Sequence, residues 1–164
     1  MVPGKSRGIS GVDIVSICEA VDILVVEDNP SQRESIVESL EASIDGVCVV
    51  AVQDGDEALD FLFARGPWAD REGEEPPKLI LLDLELPGAD AFSILGQIRS
   101  LGPEDALMLT PVVIFTDSQS DSDAAECYRC GANSYIIKPL SFNEFKTLVD
   151  MVGQYWITHN RIPK

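Results

Sequence analysis

Histidine is almost missing from this chain: His159 is the single one among 164 residues, near the carboxyl end, where it reads as solvated rather than catalytic. Chemistry built on clustered imidazoles is thereby disfavoured. Positive charge is also scarce. Twelve Lys and Arg stand against 28 Asp and Glu, a net charge of −16 that would repel a phosphate backbone, so no direct nucleic-acid partner is expected. No apolar run approaches the length of a membrane span, and the opening residues have no long apolar core behind them to serve as a secretory leader. A soluble, cytoplasmic protein with no membrane partner is the expectation. Cysteines number four, at 18, 48, 127 and 130. Cys127 and Cys130 have metal-like spacing, but they lie inside an apparent helix ending at Gly131. No second pair or neighbouring histidine completes four ligands, so a thiolate metal site is disfavoured.

What the chain does have is apolar residues in ordered blocks, 45% of the total. The length suits one well-cored domain and is short for two. Residues 1–20 lack sustained periodicity and read as a flexible N-terminal extension, residues 21–158 as the domain, and 159–164 as a tail. From Val21 onward strand and helix patterns alternate five times. The first strand, about 22–27, is followed by Asn29-Pro30, a helix cap and a first-turn proline, and by the apolar stripe Ile36, Val37, Leu40 and Ile44. A second strand spans 47–52, and Asp54-x-x-Glu57 opens a helix in the manner of a capping box. Residues 66–77 read as an irregular surface loop. Helices are expected over 90–101, with Phe92, Leu95 and Ile98 on one side, and from Ser120 or Ser122 to Cys130. Ser141-x-x-Glu144 opens the last helix, whose stripe Phe142, Phe145, Leu148, Val149 and Val152 is expected to face the sheet. Tyr155, Trp156 and Ile157 extend it, leaving apolar surface for a partner. Five βα units predict an α/β fold: a doubly wound, five-stranded parallel sheet of flavodoxin-like (βα)5 type with strand order 2-1-3-4-5.

The strand ends carry the chemistry. Leu79-Ile80-Leu81-Leu82 stops at Asp83, Ile23-Leu24-Val25-Val26 at Glu27-Asp28, Val112-Val113-Ile114-Phe115 at Thr116, and Tyr135-Ile136-Ile137 at Lys138. In a parallel sheet these ends share one rim, the place where open α/β proteins keep their sites. Three crowded carboxylates repel one another unless a cation lies between them, and Mg2+ or Mn2+ suits such oxygens. Asp83 is then a nucleophile for a phosphoryl group, Lys138 a movable positive charge and Thr116 a hydroxyl within reach. Taken singly, each residue could be an ordinary strand-end charge or loop cap; their joint placement is what argues for a site.

These residues resemble the receiver domain of two-component response regulators, the CheY-like family, over Val25 to Pro30, Leu81 to Gly88, Phe115-Thr116 and Tyr135 to Pro139. The resemblance implies that Asp83 is the phosphoacceptor, that Asp28, Asp83 and the Glu85 backbone carbonyl hold the metal, and that Glu27 acts on it through water. It implies a Thr116/Tyr135 switch pair, a phosphoryl contact from Lys138 with a cis bond to Pro139, and tuning of phosphoryl lifetime by Glu85 and Ser118. The 66–77 loop, the approach Ala132-Asn133-Ser134-Tyr135 and the tail Gln154 to Ile157 are similar, more narrowly, to single-domain regulators that partner bacterial phytochrome kinases. That implies a sensor histidine kinase, in this group a bacteriophytochrome, as partner, and a homodimer through the last helix and tail. Where the family has Asp-Gly, this chain reads Asp90-Ala91, which would be strained if a positive φ were needed there.

The expected function is therefore a stand-alone response regulator, not an enzyme beyond its own phosphotransfer and dephosphorylation. Two rivals are a receiver-like binding module that is never phosphorylated and an aspartate-nucleophile phosphatase. The phosphatase would need Asp-x-Asp, and Glu85 stands at the second position.

Overall fold

The computed structural model describes residues 7–8, 18 and 20–163. Six parallel strands form one sheet: β1 (Arg7–Gly8), β2 (Ile23–Val26), β3 (Val49–Val52), β4 (Leu79–Leu82), β5 (Val112–Thr116) and β6 (Ser134–Ile137). Their order is β1-β3-β2-β4-β5-β6. Without β1, the other five have the expected order 2-1-3-4-5. Every residue of β2, β3, β4 and β5 is buried, as continuous Val, Ile and Leu runs require when helices cover both faces.

Side-chain alternation divides these runs between two cores. Leu24, Val26, Val50, Val52, Ile80, Leu82 and Ile114 face α2 (Gly55–Leu62), α3 (Ala91–Arg99) and α4 (Asp121–Arg129). Ile23, Val25, Val49, Leu79, Leu81, Val113 and Phe115 face α1 (Pro30–Ser43) and α5 (Phe142–Gly153). The stripe Ile36, Val37, Leu40 and Ile44 lies wholly within the second core. Helix starts follow the capping residues. The side chains of Asn29, Asp54, Asp90, Ser120 and Ser141 accept from the backbone N–H of Gln32, Glu57, Ser93, Asp123 and Glu144.

Several expectations require correction. Most of residues 1–20 lie outside the described residues, as does Lys164, but Arg7–Gly8 extends the sheet beside β3 instead of hanging free. Cys18 is joined by a disulfide to Cys48, the residue before β3, a pairing that a count of four cysteines did not reveal. Residues 66–71 form a 3-10 turn rather than irregular loop. There Trp68 packs edge-on against Phe61 and the Arg71 guanidinium lies 3.8 Å from the Phe61 ring centroid. Phe142 is 68% exposed, because the first residue of α5 precedes the turn that reaches the sheet. Beyond α5 the chain continues as a π-helical turn, Gln154–His159. Trp156 and Ile157 pack on the core, while Tyr155 stays exposed. No cis peptide bond occurs among the described residues, so the Lys138–Pro139 bond is trans. The intrinsic preference at Xaa–Pro is only about 0.5–1 kcal/mol, and surroundings decide the isomer. Ala91 is likewise unstrained: it begins α3 in helical conformation, and the positive φ of this loop, +74°, falls on Gly88.

Candidate functional site

Register builds the site. Val26 pairs with Leu82 across β2 and β4, so the next residues, Glu27 and Asp83, emerge side by side, with the Asp83 N–H donating to Val26 O at 3.0 Å. Thr116 pairs with Ile137 across β5 and β6, which brings Lys138 to the same rim; its N–H donates to Thr116 O at 2.7 Å. Glu27, Asp28 and Asp83 each present a carboxylate oxygen within 4.8 Å of the others, the one such group of potential metal ligands among the described residues. Glu27 and Asp83 are buried and Asp28 is exposed.

A single ammonium answers these carboxylates. Lys138 Nζ, 1% exposed, donates to Glu27 Oε2 at 2.6 Å, Gln32 Oε1 at 2.7 Å and Asp83 Oδ2 at 3.2 Å, and lies 5.8 Å from the Phe115 ring centroid. Burial pushes the Glu27 carboxyl up to about 7 against the pull of Lys138, and the nearby Asp83 charge adds to the rise. For Lys138 burial works against the charged form, but the hydrogen bond and charge of Glu27, with Asp83, outweigh it and raise its pKa. Three carboxylates facing one lysine leave an excess of negative charge at an open cleft, and that donor set fits a hard divalent cation. The acidic cluster is thus compatible with Mg2+ or Mn2+.

The cleft, about 190 Å³, is lined by Glu27, Asp28, Asn29, Gln32, Asp83, Glu85, Thr116 and Asp117. Glu85 is exposed on its wall, and its N–H stands 3.5 Å from Asp83 Oδ1. The loop that carries Glu85 is held by close contact with α2: Gly55 N–H donates to Pro87 O at 3.1 Å, and a Cβ at Gly55 would fall 1.7 Å from Ala89 O. Thr116 Oγ1 accepts from Ser118 N–H at 3.2 Å. Ser118 does not line the cleft; its hydroxyl donates to Asp123 Oδ2 at 2.6 Å. Tyr135, half-buried, donates its hydroxyl to Ser118 O at 2.9 Å, tying the two switch candidates through the segment between them.

Sequence reasoning missed Gln32, Arg33 and Asp117. Arg33 is buried, and its Nη1 donates to Glu27 O at 2.8 Å, bracing the acidic loop from beneath. Their signal was weak, since all three are common surface residue types in helical or loop context. The disfavoured pair Cys127 and Cys130 lies apart from this rim. Cys127 is fully buried in the core, its thiol pushed up to about 11 by burial.

The family model of the response regulator receiver domain matches residues 23–150. The chain belongs to the response regulator receiver family. It is 36% identical over 156 residues to the probable methanogenesis regulatory protein FilR2 of Methanothrix harundinacea, covering 93% of this chain and 96% of that one. It is 30% identical over 141 residues to the response regulator Rcp1 of Synechocystis sp., covering 86% and 92%. The Mn2+-bound crystal structure of Rcp1 matches with a TM-score of 0.77 at 29% identity over 88% of this chain and 99% of that one. The phosphorylated cyanobacterial phytochrome response regulator RcpA matches with a TM-score of 0.79 at 32% identity, again over 88% and 99%. The receiver fold is therefore shared with phytochrome-type response regulators, and receiver domains of this family are generally non-enzymatic signalling units. Among the described residues no helix is long and apolar enough to cross a membrane.

Proposed function

We propose that this receiver accepts a phosphoryl group on Asp83 from a sensor histidine kinase, of the bacteriophytochrome kind, and changes its protein contacts in response. The observation that carries the reading is the Lys138 ammonium, shared between Asp83 and Glu27 at the rim where Thr116 also ends its strand. Asp28, Asp83 and the Glu85 backbone carbonyl would hold Mg2+ or Mn2+, with Glu27 acting on it through water. Bound there, the cation would neutralise charge on the transferring oxygens.

The Asp83 carboxylate attacks phosphorus, an O–P bond forms, and the P–N bond to the kinase imidazole breaks with its electron pair leaving on nitrogen. Lys138 turns from the carboxylate toward a phosphoryl oxygen. Thr116 Oγ1 leaves Ser118 N–H and donates a hydrogen bond to another phosphoryl oxygen. That draws in the 116–118 segment, to which the Tyr135 hydroxyl is bonded, and so reshapes the face formed by α4, β6 and α5. A bias of about 1–3 kcal/mol between two states suffices for such coupling. Met151 and Tyr155, exposed on the last helix and its extension, support a homodimer contact there.

The test is phosphorylation by a small phosphodonor in Mg2+, followed by phosphate-affinity electrophoresis. A slow-migrating band is expected in the native chain and absent in Asp83→Asn. A band that persists in Asp83→Asn would reject the assignment.

A further inference from the structure

Lys138 is fully committed before any phosphoryl group arrives. An ammonium has three donors and no acceptor, and here all three are spent: on Glu27 at 2.6 Å, Gln32 at 2.7 Å and Asp83 at 3.2 Å. The same rule fixes the Gln32 amide, because only its oxygen can face an ammonium. To contact a phosphoryl oxygen, Nζ must give up one acceptor. The longest bond is the one to Asp83, whose carboxylate is also the group that reacts. Glu27 and Gln32 remain as two short anchors, one from the end of β2 and the other from the first turn of α1. Gln32 is itself held in place, its N–H donating to the Asn29 cap at 3.0 Å.

We propose that Gln32 is a positioning residue of the phosphoryl site: its amide oxygen and Glu27 form a two-point pivot on which the Lys138 ammonium turns from Asp83 to the incoming phosphoryl group. This rests on the reading of Asp83 as phosphoacceptor. With acetyl phosphate, an Asp83 oxygen forms the new bond to phosphorus, the bond from phosphorus to the acetate oxygen breaks, and acetate leaves with the electron pair. Gln32 touches none of these atoms. It sets where the positive charge stands while they react. Without it, one N–H of a nearly enclosed ammonium loses its partner and only Glu27 restrains the group.

The experiment compares Gln32→Met, similar in length but without a strong acceptor, and Gln32→Glu, which restores an oxygen to Lys138, using acetyl phosphate at saturating Mg2+. Gln32→Met is expected to lower the second-order rate constant roughly tenfold to a hundredfold, the worth of one hydrogen bond to a charged group. Gln32→Glu should recover most of that loss. The Lys138 ammonium resonance in 1H–15N spectra should be protected from exchange in the native chain, broaden away in Gln32→Met and return in Gln32→Glu. A native rate in Gln32→Met, or a loss that Gln32→Glu does not relieve, overturns the pivot while leaving the phosphoacceptor assignment intact if Asp83→Asn abolishes labelling. Failure of the native chain to be labelled at all overturns both.

Discussion

Raising acidity from about pH 8 to pH 6 should weaken divalent-cation binding through one identifiable group. Glu27 is 2% exposed, and its carboxyl is pushed up to about 7 by burial, so near neutrality it is about half protonated, and a cation held beside it through water favours the ionised form. For one linked proton the apparent dissociation constant scales as one plus the ratio of protonated to ionised Glu27. That factor is about 1.1 at pH 8 and about 11 at pH 6, so Mg2+ affinity should fall roughly tenfold. The sign for folding is opposite in the metal-free chain. A carboxyl raised from 4.5 favours the native state fully below about pH 4.5, and that contribution is lost as pH rises through about 7. Titration calorimetry in two buffers of different ionisation enthalpy measures both affinity and proton release. The reasoning predicts release of about half a proton near pH 7 and a flattened pH profile in Glu27→Gln. A native profile that is flat between pH 6 and 8, or an equally steep one in Glu27→Gln, would refute it.

Lys138→Met should destabilise the metal-free protein at pH 8 by about 3 kcal/mol, since it leaves buried carboxylates without their cation, and millimolar Mg2+ should restore much of that loss in urea unfolding. Reducing Cys18–Cys48, or substituting Cys18→Ser, opens a link with a sequence separation of 30 and should cost roughly 3–4 kcal/mol in the same assay, unless the segment gains nothing from closure. Gly55→Ala should slow phosphorylation and lower stability together, because its Cβ would displace Ala89 and with it the loop carrying Glu85; native values for both would show the contact to be soft. Glu85→Asn should alter the lifetime of the phosphorylated form, read as the decay of label after donor removal, and an unchanged decay rate would remove Glu85 from that role.

The sheet was legible because buried parallel strands need unbroken apolar runs, and Ile23–Val26, Val49–Val52, Leu79–Leu82 and Val112–Thr116 supply them between capped helices. The residues of the rim were legible for the same reason, as the first polar groups after such runs: Glu27, Asp83, Thr116 and Lys138. Gln32 and Arg33 were not, since a helical polar residue gives no sign of facing a buried lysine or a strand-end carbonyl. The two-residue β1 was too short for periodicity, and the pairing of Cys18 with Cys48 is a long-range contact that spacing does not encode. Ser118 was singled out only through the family resemblance, and its hydroxyl is taken by Asp123, a local contact that the sequence pattern does not encode.

Mass spectrometry of the intact protein and its peptides after exposure to a small phosphodonor tests the central claim most directly. The account predicts one added phosphoryl group in the presence of Mg2+, on the peptide containing Asp83, labile to hydroxylamine as an acyl phosphate is, and lost when the metal is chelated beforehand. A stable modification on a hydroxyl residue, or labelling indifferent to chelation, would contradict it.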